Sequence, residues 1–216
     1  MKKITILALG ALVVLVAGCN WPLGIRGNGH ITTDHRTIGE FSELDASGGF
    51  DIEWRNGPPS LSITTDENLL QYIDNSITDI RLRLRTRERI SPTHKLKIVV
   101  SSLTRNGAKI SGAVDLTVPQ LAGPKFYFKA TGASDVKLDG SVDELLADMT
   151  GASDLRAKNL QTKTVEISTT GAADADIAVS DSLKVSITGA GSVNYHGNPP
   201  HIEKHVTGAG SIRHKD

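Results

Sequence analysis

The sequence predicts an all-β protein, a parallel β-helix (β-solenoid) with coils of roughly 18–21 residues. The first observation behind this prediction is a six-residue phrase that recurs in the second half of the chain. It reads SGAVDL from Ser111, TGASDV from Thr131, TGASDL from Thr150 and TGAADA from Thr170, and two TGAGS copies follow. The glycines of successive phrases lie 20, 19, 20, 18 and 19 residues apart, at Gly112, Gly132, Gly151, Gly171, Gly189 and Gly208. A fixed period of this length is typical of a solenoid whose coils stack on one another.

The second observation is the alternation of apolar and polar residues inside each repeat. Six residues before the glycine stand Phe126, Leu145, Val165, Leu183 and Ile202; two before it stand Ala130, Met149, Thr169, Ile187 and Val206; four after it stand Val136, Leu155, Ala175, Val193 and Ile212. These even offsets are mostly apolar, whereas odd offsets are mostly polar. A period of two indicates strands whose even positions face a core. Helical solenoids need repeats of about 33 residues or more.

The strands of one coil must be joined by corners, and turn-forming residues stand where corners are needed. We expect corners at Gly140-Ser141, at Lys158-Asn159 and at 197–200, which reads GNPP.

The first half of the chain is expected to belong to the same domain. Residues 47–52 read SGGFDI, which matches the repeat phrase in its glycine, its aspartate and its last apolar residue. Gly48 and Gly112 are 64 residues apart, which leaves room for about three longer, irregular coils of solenoid length. Residues 66–74 could form a short helical turn that covers an end or a side of the column.

The N-terminal residues predict a signal peptide of the bacterial lipoprotein type. Residues 1–18 hold two lysines and then an apolar run too short to span a bilayer. They end in Val16-Ala17-Gly18 before Cys19, which resembles a lipobox. Cys19 would then be acylated, for example by palmitoylation, and residues 19–26 would tether the lipid to a single solenoid domain over 27–216, regular from about 106. The alternative is an ordinary secretory signal with an incidental cysteine. Asn20 favours sorting to the outer membrane, in a periplasmic or a surface-facing position.

Composition argues against several function classes. Basic and acidic residues balance at 24 each, so non-specific nucleic-acid binding is not expected. Cys19 is the only cysteine. His196, His201, His205 and His214 cluster near the C-terminus without a tight metal-ligand spacing. The sequence shows no nucleophile–base pair and no phosphate loop. It therefore predicts a non-enzymatic protein with no catalytic, cofactor-binding or metal-binding residues.

A column of aspartates is the first candidate surface. Three residues after the repeat glycine stand Asp115, Asp135, Asp154 and Asp174, with serine in the last two repeats. Stacked carboxylates repel one another unless solvent, a cation or a bound ion screens them. The column could be a cation site or a catalytic carboxylate pair, as in polysaccharide-cleaving β-helices. It could equally be a corner in which each aspartate binds nearby backbone amides. Lys137 and Arg156 would neutralise part of its charge.

A column of hydroxyls is the second candidate surface. One residue before the glycine stand Ser111, Thr131, Thr150, Thr170, Thr188 and Thr207, which we interpret as a structural hydroxyl ladder.

A stripe of arginines is the third candidate surface. Residues 81–89 read RLRLRTRER. In one strand this places Arg81, Arg83, Arg85, Arg87 and Arg89 on a single face over roughly 27 Å. Arginine forks suit anionic glycans, lipopolysaccharide or the acidic surface of a protein partner. A solvated face, partly paired with neighbouring acids, is the alternative.

Taken together, the repeated phrases, the opening 27–31 (GNGHI), the stretch 41–48 (FSELDASG) and the lipobox resemble one protein family. It is the putative auto-transporter adhesin head domain family, also called the GIN domain. The resemblance covers the chain from Gly27 onward, and it implies a right-handed parallel β-helix in the cell envelope. It supplies no catalytic or binding residues.

Three functions follow as hypotheses. The first is a lipid-anchored envelope protein that presents a rigid solenoid for binding or adhesion to a glycan, a cell surface or an envelope partner. The second is a periplasmic structural or assembly factor that uses the arginines to bind an acidic partner. The third is a polysaccharide lyase or hydrolase that uses the aspartate column, although such enzymes usually need larger coils and a long cleft.

Overall fold

The computed structural model describes residues 24–216 and confirms the β-solenoid, which has about five turns. Cys19 and the predicted signal peptide lie outside the described residues. The strands are β1 (Ile25–Arg26), β2 (Ile31–Arg36), β3 (Glu43–Asn56), β4 (Ser60–Asp66), β5 (Ile73–Thr78), β6 (Arg81–Thr86), β7 (Ile90–Ser91), β8 (Lys97–Ser102), β9 (Gly107–Gly132), β10 (Asp135–Gly151), β11 (Asp154–Ala157), β12 (Leu160–Gly171), β13 (Asp174–Ala178), β14 (Ser182–Gly189), β15 (Ser192–His196), β16 (His201–Gly208) and β17 (Ser211–Lys215). A 3-10 helix, Glu67–Tyr72, lies between β4 and β5.

From β9 onward every strand pairs in parallel with the strand one coil away, in the register that the repeat predicts. Each coil has one strand before its repeat glycine and one after it. We call the outer surface of β12, β14, β16 and the segments aligned with them the pre-corner face. The outer surface of β11, β13, β15, β17 and the segments aligned with them is the post-corner face.

The core is a single apolar column inside the coils. The even positions predicted to face inward are buried in the coils that end at Gly132, Gly151, Gly171 and Gly189. In the last coil Ile202 is 44% exposed and Val206 is 40% exposed, because no further coil covers them. Near the other end, the Trp54 ring stacks on Phe41 at 5.8 Å and lies 6.4 Å from Phe126.

The repeat glycines make the tightest backbone contact of the fold. In the six regular repeats their φ angles lie between 95° and 125°. A Cβ built on any of them would lie 2.3–2.6 Å from the carbonyl oxygen of the repeat glycine in the preceding coil. The next residue donates its backbone N–H to that same carbonyl, as Ala152 does to Gly132 at 2.9 Å and Ala172 to Gly151 at 2.8 Å. Glycine is therefore required by both conformation and space.

The three coils expected between Gly48 and Gly112 are not there. Gly48 pairs directly with Gly112, so the first repeat stacks on the second. Residues 57–106 instead extend the column beyond β3, and within them β6 and β8 both pair with β3 in parallel. The outer strands are antiparallel: β5 pairs with β6, and β4 pairs with β8 and with β2. The alternation of this segment is that of strands, as predicted, but alternation does not encode the direction of pairing. The helical turn expected over 66–74 is present as the 3-10 helix, with Leu69 fully buried.

Asp66, which is fully buried, holds the N-terminal end of the column together. Its carboxylate accepts hydrogen bonds from the Gly29 N–H at 2.7 Å, the Thr93 N–H at 2.9 Å and the Thr93 hydroxyl at 2.7 Å. Burial raises the pKa of Asp66, but the hydrogen bonds from Thr93 and Gly29 outweigh that effect, so the net pKa lies below the ordinary 3.8. Arg36 adds a second connection by donating to the carbonyls of Leu70 and Ile73.

The C-terminal end closes with polar side chains. Lys204 stands in register with Val185, which is buried in the preceding coil. Its Nζ lies 4.7 Å above the Tyr195 ring and donates to the Tyr195 hydroxyl at 3.1 Å. His214 stacks on the same ring at 5.0 Å. An inward-pointing charge on a terminal strand discourages pairing with another chain.

We expect Gly151→Val or Gly171→Val to lower the free energy of unfolding by about 3 kcal/mol, through backbone strain and overlap with the coil below. The matched control is Gly49→Ala. Gly49 is in register with Ala113, and a Cβ there has no neighbour within 4 Å. Urea denaturation of all three variants measures the effect. Wild-type stability in both valine variants would show that the coil register is wrong.

We expect Asp66→Asn to cost on the order of 1–3 kcal/mol at pH 7, because an amide cannot accept all the donors that face the carboxylate. The pKa of Asp66 is lowered in the folded state, so its stabilisation is complete above the ordinary value of 3.8 and is lost as the pH falls through the lowered pKa. Urea denaturation from pH 7 to pH 3 should show the two proteins converging below about pH 4. A constant difference across this range would contradict the assignment.

Candidate functional site: the outer faces of the solenoid

The predicted arginine stripe divides into two parts. Arg81, Arg83 and Arg85 lie on β6, which pairs with β3 and forms the N-terminal end of the pre-corner face. The strand ends at Thr86, so the expected single strand through Arg89 is wrong in its extent. Beyond it the chain turns to make other contacts, since the Arg87 N–H donates to the Tyr72 carbonyl and the Arg89 carbonyl accepts from Ile25.

Three of these arginines are ion-paired within the protein. Arg81 donates to Glu43 at 2.6 and 2.9 Å, Arg85 contacts Asp45 at 3.3 Å, and Arg87 contacts Asp74 at 2.6 Å. The Glu43 carboxylate raises the pKa of the Arg81 guanidinium, and the Arg87 guanidinium lowers the pKa of Asp74. Within residues 24–216, Arg83 and Arg89 form no ion pair. The positive charge available to a partner is therefore smaller than the sequence suggests.

The hydroxyl column forms a continuous ladder beside the glycine corner. Its members pair in register from Ser47 and Ser111 through Thr131, Thr150, Thr170 and Thr188 to Thr207. The Ser111 hydroxyl donates to the Ser47 hydroxyl at 2.9 Å. The threonines are exposed, but the ladder is one residue wide and borders the glycine corner.

The aspartate column lies on the post-corner face and includes Asp51, which pairs in register with Asp115. Its order along the column is Asp51, Asp115, Asp135, Asp154 and Asp174. Cations of this chain already contact most of it. Lys95 lies 3.0 Å from Asp115, and Arg156 bridges Asp135 at 2.7 Å and Asp154 at 3.7 Å.

The other members of this face depart from expectation in two ways. Lys137 turns toward Asp139 at 3.8 Å instead of the column. Asp174 accepts the Ser192 N–H at 2.7 Å, which is the backbone contact expected at a corner, whereas Asp115, Asp135 and Asp154 contact cations. Next to Asp174 an open groove of about 370 Å³ is lined by polar side chains, among them Arg156, Asp176, Asn194 and Arg213.

The described part of the chain contains no group of three or more histidine, cysteine, aspartate or glutamate residues that could hold a metal ion. The C-terminal histidines make separate contacts. The His196 Nε2 lies 2.8 Å from Asp176, His214 stacks on Tyr195, and the His205 Nε2 lies 3.4 Å from the Thr207 hydroxyl. His201 is exposed. Within the described residues, Asp174 is the one column aspartate that accepts a backbone N–H, and lysine or arginine contacts Asp115, Asp135 and Asp154.

Sequence reasoning missed a set of ion pairs between successive coils on the pre-corner face. Lys129 lies 2.7 Å from Asp148, Lys125 lies 3.1 Å from Glu144, and Lys184 lies 3.0 Å from Glu166. Each pair joins two residues at the same position of adjacent repeats. The sequence does contain a signal for these pairs, because the charge changes sign at the same position of successive repeats. Such pairs stabilise stacked strands modestly because they are exposed.

Comparison with known proteins agrees with this architecture. The model of the family described as putative auto-transporter adhesin, head GIN domain, matches residues 40–199, and the chain belongs to that family. This membership points to a protein of the cell envelope or cell surface. No curated protein matches the chain. No helix in residues 24–216 is long and apolar enough to cross a membrane.

Two solved structures share the fold at low sequence identity. A putative adhesin from Bacteroides fragilis is 22% identical, with a TM-score of 0.74 over 88% of this chain and 100% of that one. A structure from Parabacteroides distasonis, described as a putative lipid binding protein, is 21% identical, with a TM-score of 0.54 over 89% of this chain and 99% of that one.

We expect Arg156→Ala to lower the free energy of unfolding by about 0.5 kcal/mol, because it leaves two adjacent carboxylates without a shared cation. The Arg156 side chain is 61% exposed, so the loss should shrink in 1 M salt. Lys137→Ala, which removes only the long contact with Asp139, is the matched control. Equal effects of the two variants in urea denaturation at low salt would contradict this role of Arg156.

Proposed function

We propose that this protein is a non-enzymatic lipoprotein of the cell envelope that is anchored through Cys19 and presents its solenoid for binding or adhesion. The observation that carries the proposal is the pair of ordered outer faces. Side chains on them align in register over successive coils, which suits binding to an extended or repetitive partner. Family membership and the adhesin description of the Bacteroides fragilis structure support the same class.

A non-enzymatic role is supported by the state of the aspartates. Carboxylates that hydrolyse glycosides act in pairs, one of them protonated, on either side of the substrate bond. In the aspartate column the carboxylates instead lie side by side and contact Lys95 and Arg156. This arrangement does not support the lyase or hydrolase function.

For location, we propose the outer membrane. An acylated Cys19 would hold the protein there. Several acyl chains on one residue give stable anchoring. As partners we propose anionic glycans, including lipopolysaccharide, or an acidic protein surface. The periplasmic assembly hypothesis depends on the arginines, and internal ion pairs of Arg81, Arg85 and Arg87 leave less charge for it.

The test is expression of the full chain and of Cys19→Ser in a bacterial host with an outer membrane, fed an alkyne analogue of palmitate. We expect the wild type to carry the label and to sediment with membranes, and the serine variant to be unlabelled and released in soluble form. Protease treatment of intact and lysed cells then locates the domain. Loss of the protein from intact cells supports adhesion, whereas protection until lysis favours a periplasmic partner. A labelled Cys19→Ser variant would contradict the anchor.

A further inference from the structure

The outer edge of β16 is unpaired in the described part of the chain, because β16 pairs with β14 alone. On the β14 side, the His201 N–H donates to the Asp181 carbonyl at 3.3 Å. The backbone groups of successive residues in a strand point alternately to its two sides. The N–H and C=O groups of Ile202, Lys204 and Val206 therefore point away from β14, where an added strand can bind them.

The side chains of the same three residues occupy positions that face the core in the preceding coil. Ile202 stands in register with Leu183, and Val206 with Ile187, both of which are buried. At the edge, 44% of Ile202 and 40% of Val206 is exposed. A strand with an apolar residue opposite each of them would extend the core by one layer.

Lys204 lies between these two apolar side chains and decides which strands can pair with the edge. Its Nζ donates to the Tyr195 hydroxyl at 3.1 Å, and within residues 24–216 it forms no ion pair. An apolar residue opposite Lys204 would remove water from the ammonium group and give nothing in return. A carboxylate at that position would accept a charge-assisted hydrogen bond from Nζ. The inward charge therefore opposes apolar strands and favours a strand with an acid at its centre.

Pairing of β16 with β16 of a second copy is disfavoured by the same lysine. In antiparallel strands, residues directly opposite each other point to the same side of the sheet. Both apolar residues of each copy find an apolar partner only when Ile202 of one copy lies opposite Val206 of the other. That register places the two Lys204 side chains opposite each other, and like charges in this position are destabilising.

We propose that the outer edge of β16 is a strand-addition site for an extended segment of a partner protein. The segment carries an aspartate or glutamate, with an apolar residue two positions before it and another two positions after it. The acid would lie opposite Lys204, and the apolar residues opposite Ile202 and Val206. About six backbone hydrogen bonds to the edge would supply affinity, and the three side chains would supply specificity. This inference rests on the proposed binding function and names the partner class for it.

The test uses the full chain in detergent micelles and fluorescent peptides, with binding measured by fluorescence anisotropy. The peptide Thr-Val-Thr-Asp-Thr-Val-Thr has the proposed pattern. A second peptide has Asn in place of Asp, and a third has Asp moved by one position so that it points away from the core. We expect the first peptide to bind about tenfold more tightly than the other two, because only it forms a charge-assisted hydrogen bond with Lys204. Hydrogen exchange should show new protection confined to 201–208.

A charge exchange makes the test specific to Lys204. We expect Lys204→Glu to lose the Asp peptide and to bind the same peptide with Lys at the centre, which the wild type should not bind. Regained binding shows that the variant is folded even though its contact with Tyr195 is lost. The matched control is Arg213→Ala, which removes an exposed cation of β17 that forms no ion pair within the described residues. It should bind the Asp peptide like the wild type.

Several results would overturn the proposal. They are the absence of binding at millimolar peptide, equal affinity for the Asp and Asn peptides, protection outside 201–208, and equal losses in Arg213→Ala and Lys204→Glu. A dimer in sedimentation that Lys204→Glu abolishes would assign the edge to a second copy instead. The proposed function fails separately, through the Cys19 labelling and protease experiments. Beads that bind cells equally when coated with the wild type or with Lys204→Glu would remove the partner class alone.

Discussion

The structure depends on the close contact between successive repeat glycines. Each one approaches the carbonyl oxygen of the glycine below it more closely than any side chain would allow, and the next residue donates a hydrogen bond to that oxygen. This contact fixes the register at one corner of every coil. Because strand side chains alternate between two faces, fixing one corner determines which residues enter the core and which face outward.

The same register decides how charge is distributed on the surface. Equivalent positions of adjacent coils lie one strand spacing apart, so a basic residue in one repeat meets the residue at the same position in the next. Lys129 with Asp148 and Arg81 with Glu43 are pairs of this kind. The charge open to a partner is therefore what remains after these pairs have formed. Within residues 24–216 it includes Arg83 and Lys109, which form no ion pair.

The repetitive half of the fold could be predicted from the sequence, and the N-terminal end could not. Glycine spacing and alternation predicted the coil and the inward positions of Phe126 and Leu145, and turn-forming residues predicted the corner at Lys158-Asn159. Alternation also predicted strands in 57–106, but the same alternation occurs in solenoid coils and in an antiparallel cap. It therefore could not show which of the two this segment forms. The cap depends on contacts between distant residues, such as Asp66 with Gly29 and Thr93, which no local signal shows. The pairing of Arg85 with Asp45 was hidden for the same reason, since it requires the register of β6 on β3.

The central claim is that the hydroxyl ladder from Ser47 to Thr207 has evenly spaced members and that Gly48 stacks directly on Gly112. Pulsed electron paramagnetic resonance with spin labels tests both parts. In a Cys19→Ser background, one protein carries Thr131→Cys and Thr207→Cys, and a second carries Ser47→Cys and Thr207→Cys. Four and six strand spacings predict backbone separations of about 19 and 29 Å, each with a narrow distribution. A second distance near 43 Å would mean that three coils do separate Gly48 from Gly112, and it would contradict this account.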